Sequence, residues 1–196
     1  MARSAPPGAL PTVAFETQSD WAAWLESNHD TSPGVWLQLA KKASGVPSVS
    51  YDQAVEAALC FGWIDGQKGR LDDKAWLQRF TPRGPRSIWS KINRERAEKL
   101  AASGRMSPAG SRAVENAKQN GQWDAAYDSP SGATVPPDFQ AALDRSKAAA
   151  AFFATLSGAN RYAILFRIQT AKKAETRAKR ISDFIEMLKR KEKLHP

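Results

Sequence analysis

The sequence predicts an α+β (or α/β) protein: a small mixed sheet with packed helices, followed by an all-helical C-terminal module. Three observations carry this expectation. The chain has 196 residues with 42% hydrophobic content, enough to bury a core. All seven tryptophans (Trp21, Trp24, Trp36, Trp63, Trp76, Trp89, Trp123) precede residue 124. Strand-period segments occur only in that first part, while the last third is written in Ala, Phe, Leu, Ile and basic residues at helical spacing. The division expected is a disordered N-terminus over residues 1–11, an aromatic-rich body over 12–128, a linker over 129–137 and a helical module over 138–196.

Residues 1–11 are rich in Pro, Gly and Ala. Residues 13–15 read as a short strand. Thr17 and Asp20 open an amphipathic helix that runs to about Asn28, with Trp21, Trp24 and Leu25 on one face. Pro33-Gly34 is a turn. The next strand covers 34–42, with Val35, Leu37 and Leu39 on one side. After a loop over 43–48, Ser50 and Gln53 form a capping box for a helix over 51–61, which Gly62 stops.

Residues 63–65 read as a short buried strand and 66–69 as a turn. A strand over 74–81 alternates Ala75, Leu77 and Arg79 against Trp76, Gln78 and Phe80. Residues 82–86 are irregular, because each proline removes a donor and restricts its predecessor. Ser87 is read as the cap of a helix to about Ser103. Ser107-Pro108 begins another that ends near Gly121. Residues 138–156 read as one helix with Phe139, Ala142, Leu143, Ala150, Phe153 and Leu156 on one face. Further helices start near Asn160 and carry Ile181, Phe184, Ile185 and Leu188. No internal repeat is visible.

Composition removes several function classes. One cysteine, Cys60, allows no internal disulfide and no multi-cysteine zinc site, and two histidines leave little for a His-based metal site. No apolar run reaches membrane-spanning length. Residues 1–12 hold no signal-peptide-length apolar stretch, so a cytoplasmic location is expected. No glycine pattern matches a Walker or dinucleotide loop, and no cofactor is implied.

The net charge of +9 is zoned. Residues 1–65 hold 3 basic and 7 acidic groups, and 66–112 hold 12 and 4. Residues 113–140 hold 1 and 4, and 141–196 hold 13 and 5. The last zone reads as a solvated helical face. The middle zone mixes arginine with Trp, Phe, Gly and Pro, and it carries the candidate site.

Asp65 ends an apolar strand between glycines, beside Trp63, either as a turn-forming carboxylate or as an acid/base. Arg79, Arg83 and Arg86 lie on and after one strand, on a proline-stiffened segment. They suit a phosphate or carboxylate, unless they pair with Asp72, Asp73 or Glu95. Ser87, Trp89 and Asn93 follow at an expected helix start, whose free N–H groups attract anions. Lys41 and Lys42 end the second strand and either reach the same mouth or simply face water. Cys60 reads as a buried structural thiol, and His29 is its one available base in the body.

These residues form motifs that resemble the YdeI/OmpD-associated (bacteriocin-protection) family. They are Trp24-Leu25 with Asn28-His29, GVWLQLAKKASG over 34–45, CFGWIDG over 60–66, RFTPR with PRSIWSKIN over 79–93, and GRMSPAG over 104–110. In the tail the resemblance lies in Asp138-Phe139, Ala142-Leu143, Phe152-Phe153 and AKKAETRAKRI over 171–181, so that it covers roughly 12–190. It implies a stress- or antimicrobial-resistance factor and brings no catalytic residues. Three readings stand. One is a non-enzymatic protein that binds an anionic small molecule or an acidic protein surface through the Arg/Trp loop. One is a nucleic-acid binder. The last is an enzyme on a small anionic substrate with Asp65 as acid/base.

Overall fold

The structure, a computed structural model, describes residues 10–196, and the expectation of disorder over 1–9 lies outside them. It is an α+β fold. Residues up to Ser87 together with Asn93–Asp124 form one compact unit. Ile88–Ile92 and Ala125–Pro196 form a second.

The first unit is built on a four-stranded mixed sheet in the order β1-β2-β4-β3. Its strands are β1 (Thr12–Ala14), β2 (Val35–Ala40), β3 (Trp63–Arg70) and β4 (Ala75–Pro82). β1 runs parallel to β2, and the other pairs are antiparallel. Pro11 belongs to this sheet edge, since its carbonyl accepts the Trp36 N–H at 2.8 Å, so the order extends earlier than the expected boundary at residue 12.

Period-2 alternation sets the buried face. Val35, Leu37 and Leu39 are at most 1% exposed, and Phe80 and Trp63 join them. Helices α1 (Gln18–Asn28) and α2 (Tyr51–Cys60) supply the opposing layer through Trp21, Leu25, Ala54, Val55 and Ala58. Trp21 meets Phe80 at 5.6 Å and Trp63 edge-on at 6.4 Å, and its indole N–H reaches the Ala54 carbonyl at 3.1 Å. Burying each such large side chain contributes roughly 1.5–3 kcal/mol. Thr17 caps α1 from the Asp20 N–H, and Ser50 with Gln53 closes the capping box of α2.

Three local expectations are corrected. Residues 66–69 are not a turn, because β3 continues to Arg70 through a bulge between Asp65 and Lys68. The true reversal lies at Asp72, whose Oδ1 accepts the N–H groups of Lys74 and Ala75, each at 2.7 Å. Ser87 does not cap a helix. Its Oγ accepts the Gly84 N–H at 3.1 Å, and its own N–H returns to the Gly84 carbonyl, which closes a turn. Helix α3 (Lys91–Ala102) begins four residues later.

Helix α4 (Pro108–Gln119) follows, capped by Ser107. It crosses α2 at Gly110, where a Cβ would lie 2.3 Å from the Cys60 carbonyl oxygen. No larger residue fits that crossing.

The third correction falls in the second unit. The single helix expected over 138–156 is two, α5 (Pro137–Asp144) and α6 (Lys147–Thr155), because Ser146 takes a non-helical conformation and caps α6 at Ala149. Helices α7 (Gly158–Gln169) and α8 (Ala174–Lys189) complete the unit. Phe139, Leu143, Phe153, Ile164, Ile168 and Leu188 are its core. Arg177 ties α8 to α5 through a two-pronged bond to Asp138 at 2.6 and 2.9 Å. No helix among the described residues is long and apolar enough to cross a membrane.

Candidate functional site

Strand parity decides which predicted residues meet. Residues paired across β2 and β4 share a face, so Val35, Leu37 and Leu39 lie with Phe80, Gln78 and Trp76 on the helix side. Trp36, Gln38 and Ala40 lie with Arg79, Leu77 and Ala75 on the other. Asp65 pairs with Phe80. Asp65 and Arg79 therefore point to opposite faces of the sheet, and the fold does not bring them to one mouth.

On the helix side, Asp65 accepts the Tyr51 hydroxyl at 2.7 Å. Tyr51 is the first residue of α2, placed there by the capping box at Ser50. Burial, and then the hydrogen bond to Asp65, push its phenol well above the usual tyrosine range. The Lys68 ammonium lies 4.9 Å from the Trp76 ring centre and 5.7 Å from that of Tyr51. Gln78, 1% exposed, holds the bulge from beneath, donating from Nε2 to the Gly66 carbonyl at 2.8 Å. Arg96 on α3 closes this edge by pairing with Asp52 at 2.7 Å.

On the other face, Trp36 stands directly opposite Arg79. Its ring reaches across β4 toward β3, where a Cβ on Gly69 would sit 3.5 Å from it. Glycine at 69 leaves room for the indole. Among the described residues Arg79 forms no ion pair, and its Nε is buried without a hydrogen-bond partner. A half-buried arginine opposite a tryptophan on one sheet face, with no carboxylate paired to it among the described residues, is suited to an incoming planar anion.

The remaining predicted residues are dispersed. Arg83 is half-buried, and its N–H anchors the loop on the Gly62 carbonyl at 2.9 Å. Arg86 is exposed and forms no ion pair among the described residues. Ser87 closes the turn described above. Trp89 is 2% exposed in the second unit, and its carbonyl accepts the Tyr127 N–H. Asn93 is half-buried in the first turn of α3. Lys41 donates to the Asp72 carbonyl at 2.9 Å, and Lys42 is exposed on a 3-10 turn.

Trp63 is core, with its indole N–H on the His29 carbonyl at 3.2 Å. Cys60 is buried, and burial raises its thiol above the usual range. The His29 ring bonds the Leu25 carbonyl through Nδ1 at 2.9 Å and packs on Phe61. Among the described residues no cluster of metal-ligating side chains occurs.

Sequence reading missed Tyr51, Lys68, Trp76 and Trp36. The alternation of β4 identified the face of Trp76. Nothing in the order of residues marked the bulge that brings Lys68 to it.

The chain thus combines a two-layer α+β unit, with an arginine on its outer sheet face, and a helical unit. Residues 13–113 match a domain of unknown function, DUF8412, and the chain belongs to that family. Residues 132–191 match the family described as Bacteriocin-protection, YdeI or OmpD-Associated. That match falls on the helical unit, while the body, to which the resemblance also extended, is matched by the separate domain. No curated protein and no solved structure matches the chain.

Proposed function

We propose that this is a non-enzymatic, stress- and antimicrobial-resistance-associated protein that acts in the cytoplasm and binds an anionic ligand or an acidic partner on its body. The observation that carries the reading is Arg79, half-buried beside Trp36, with a buried Nε that has no partner and no carboxylate paired to it. The bacteriocin-protection match on the helical unit supports the resistance context.

Calorimetric titration with inorganic phosphate, pyrophosphate, citrate and a Glu-rich peptide tests the reading. Binding of at least one of these, weakened about tenfold or more by Arg79→Ala, is expected, since a desolvated charge-assisted contact is worth about 1.5–3 kcal/mol. Full-strength binding by Arg79→Ala, or no binding of any probe at millimolar concentration, refutes it.

A second reading rests on Trp36. A half-exposed indole on a sheet face beside an arginine is also a stacking surface for single-stranded nucleic acid. Gel shifts with single-stranded DNA and RNA across salt concentrations decide it. No shift at low salt removes this reading and leaves the first intact.

A further inference from the structure

The helical unit holds a groove of about 730 Å³ that none of the body residues line. The size falls within the range of small-molecule sites. Its floor is one face of α7, where Ala159 and Ala163 are small enough to leave a channel beside the ring pair of Tyr162 and Phe166, whose centres lie 5.9 Å apart. These residues recur at helical spacing, and the face from Ala159 to Arg167 is about 12 Å long at 1.5 Å per residue.

The groove ends on a guanidinium at one side and an imidazole at the other. At one end Arg167 donates from Nη1 to the Ala163 carbonyl at 2.9 Å, which lays its guanidinium back along the helix. Among the described residues no carboxylate pairs with it. At the other end His195 is seated by Asn160, a polar side chain only 4% exposed. Asn160 accepts the His195 N–H at 2.9 Å and donates to its carbonyl at 3.2 Å. A buried amide committed to both backbone groups of one residue fixes that residue at the rim. The Tyr162 hydroxyl is engaged by the Asp128 carbonyl at 3.0 Å, so the tyrosine presents its ring to the groove and holds its polar tip away.

We propose that this groove binds a small amphipathic anion, an apolar body with a single carboxylate or sulfonate. The body lies on Ala159 and Ala163 against the Tyr162–Phe166 ring pair, and the acid group meets Arg167 or His195. The guanidinium at one end argues against a cationic occupant. The site is separate from Arg79 on the body and does not depend on the function proposed above.

The test uses the full chain and two dyes with the same aromatic body, anionic 1-anilinonaphthalene-8-sulfonate and neutral N-phenyl-1-naphthylamine. Both are expected to brighten and saturate. Arg167→Ala and His195→Ala weaken the sulfonate, each by about threefold to fivefold as for one exposed charge contact, and leave the neutral dye unchanged. Ala159→Trp, at an exposed position, fills the channel and abolishes both signals. Ala159→Leu is the milder version should the tryptophan variant unfold by circular dichroism. Three outcomes overturn the proposal: no saturable signal from the sulfonate, equal losses for both dyes in the charge variants, or undiminished binding in a folded channel-filling variant.

Discussion

Tyr51→Phe removes one oxygen and leaves the ring over which Lys68 sits. The hydroxyl it deletes is 2.7 Å from Asp65 Oδ2. A hydrogen bond to a charged group contributes about 1.5–3 kcal/mol, and Tyr51 is only half-buried, so a loss of about 1–2 kcal/mol is expected. The pH dependence gives an independent check. The phenol of Tyr51 is held above its ordinary value, first by burial and then by Asp65. A group whose folded pKa is raised stabilises the fold below its unfolded value, near 10 for tyrosine, and loses that contribution as pH rises through the folded value. Above about pH 10 the unfolded chain releases this proton while the fold retains it. Stability then falls by at most about 1.4 kcal/mol per pH unit, a limit that water at the half-buried ring reduces. Urea unfolding from pH 7 to 11 measures both effects. The variant should be weaker at pH 7 and flatter above pH 10, with a remaining slope from Tyr162, whose phenol is also raised by burial. Combined with Asp65→Ala, the pair should show a coupling of about 1 kcal/mol. Equal stability at pH 7 together with an unchanged alkaline slope would show that the bond does not form.

Gly110→Ala places a methyl 2.3 Å from the Cys60 carbonyl oxygen and 2.4 Å from the Met106 sulfur. Thioether movement relieves only the second clash, so denaturant unfolding should show a loss of about 3 kcal/mol that Met106→Ala does not restore. Asp138→Asn weakens the tie to Arg177, whose guanidinium holds the Asp138 carboxyl below its usual range. A depressed carboxyl stabilises above about pH 4 and loses its contribution below it, so this variant should cost about 0.5–1 kcal/mol at neutral pH and flatten the acid limb of stability. Cys60 is buried with its thiol raised, so an aromatic disulfide reagent should modify it only at the rate of local opening, and far faster in urea.

The parts of the fold legible in the sequence are those fixed by short-range chemistry. The capping residues Thr17, Ser50 and Ser107, the alternation of Val35, Leu37 and Leu39, and the stop at Gly62 act within a few residues of themselves. The expectations that failed depended on competition between equally plausible local partners. Ser87 has the composition of a helix cap, but Pro85 and Gly84 offer its hydroxyl a tighter turn first. Ser146 lies inside an unbroken apolar periodicity, and its side chain serves a new helix start instead of the old helix. The Gly66–Gly69 pair suggests a reversal, yet Asp72 has two N–H groups within reach and captures the turn.

The candidate site shows why function was harder to read than fold. Before the bulge, Asp65 pairs with Phe80 on the helix side. After it, Lys68 pairs with Gln78 and Arg70 with Trp76, again on the helix side. One extra residue accounts for this. In an unbroken ladder, Lys68 and Arg70 would fall on the face of Arg79 and Trp36, where they would build one strongly cationic surface. The bulge instead turns them to the helix side, where the rings of Tyr51 and Trp76 receive Lys68. Arg79 is left as the lone cation of its row beside an indole. Gln78 sets this division, because its amide satisfies the carbonyls that the bulge exposes and so stabilises the extra residue. The middle basic zone, uniform when counted along the chain, is thereby split by one buried glutamine between two faces of one hairpin. The anion-binding reading rests on the sparser of the two, where a single guanidinium is both half-buried and without a carboxylate.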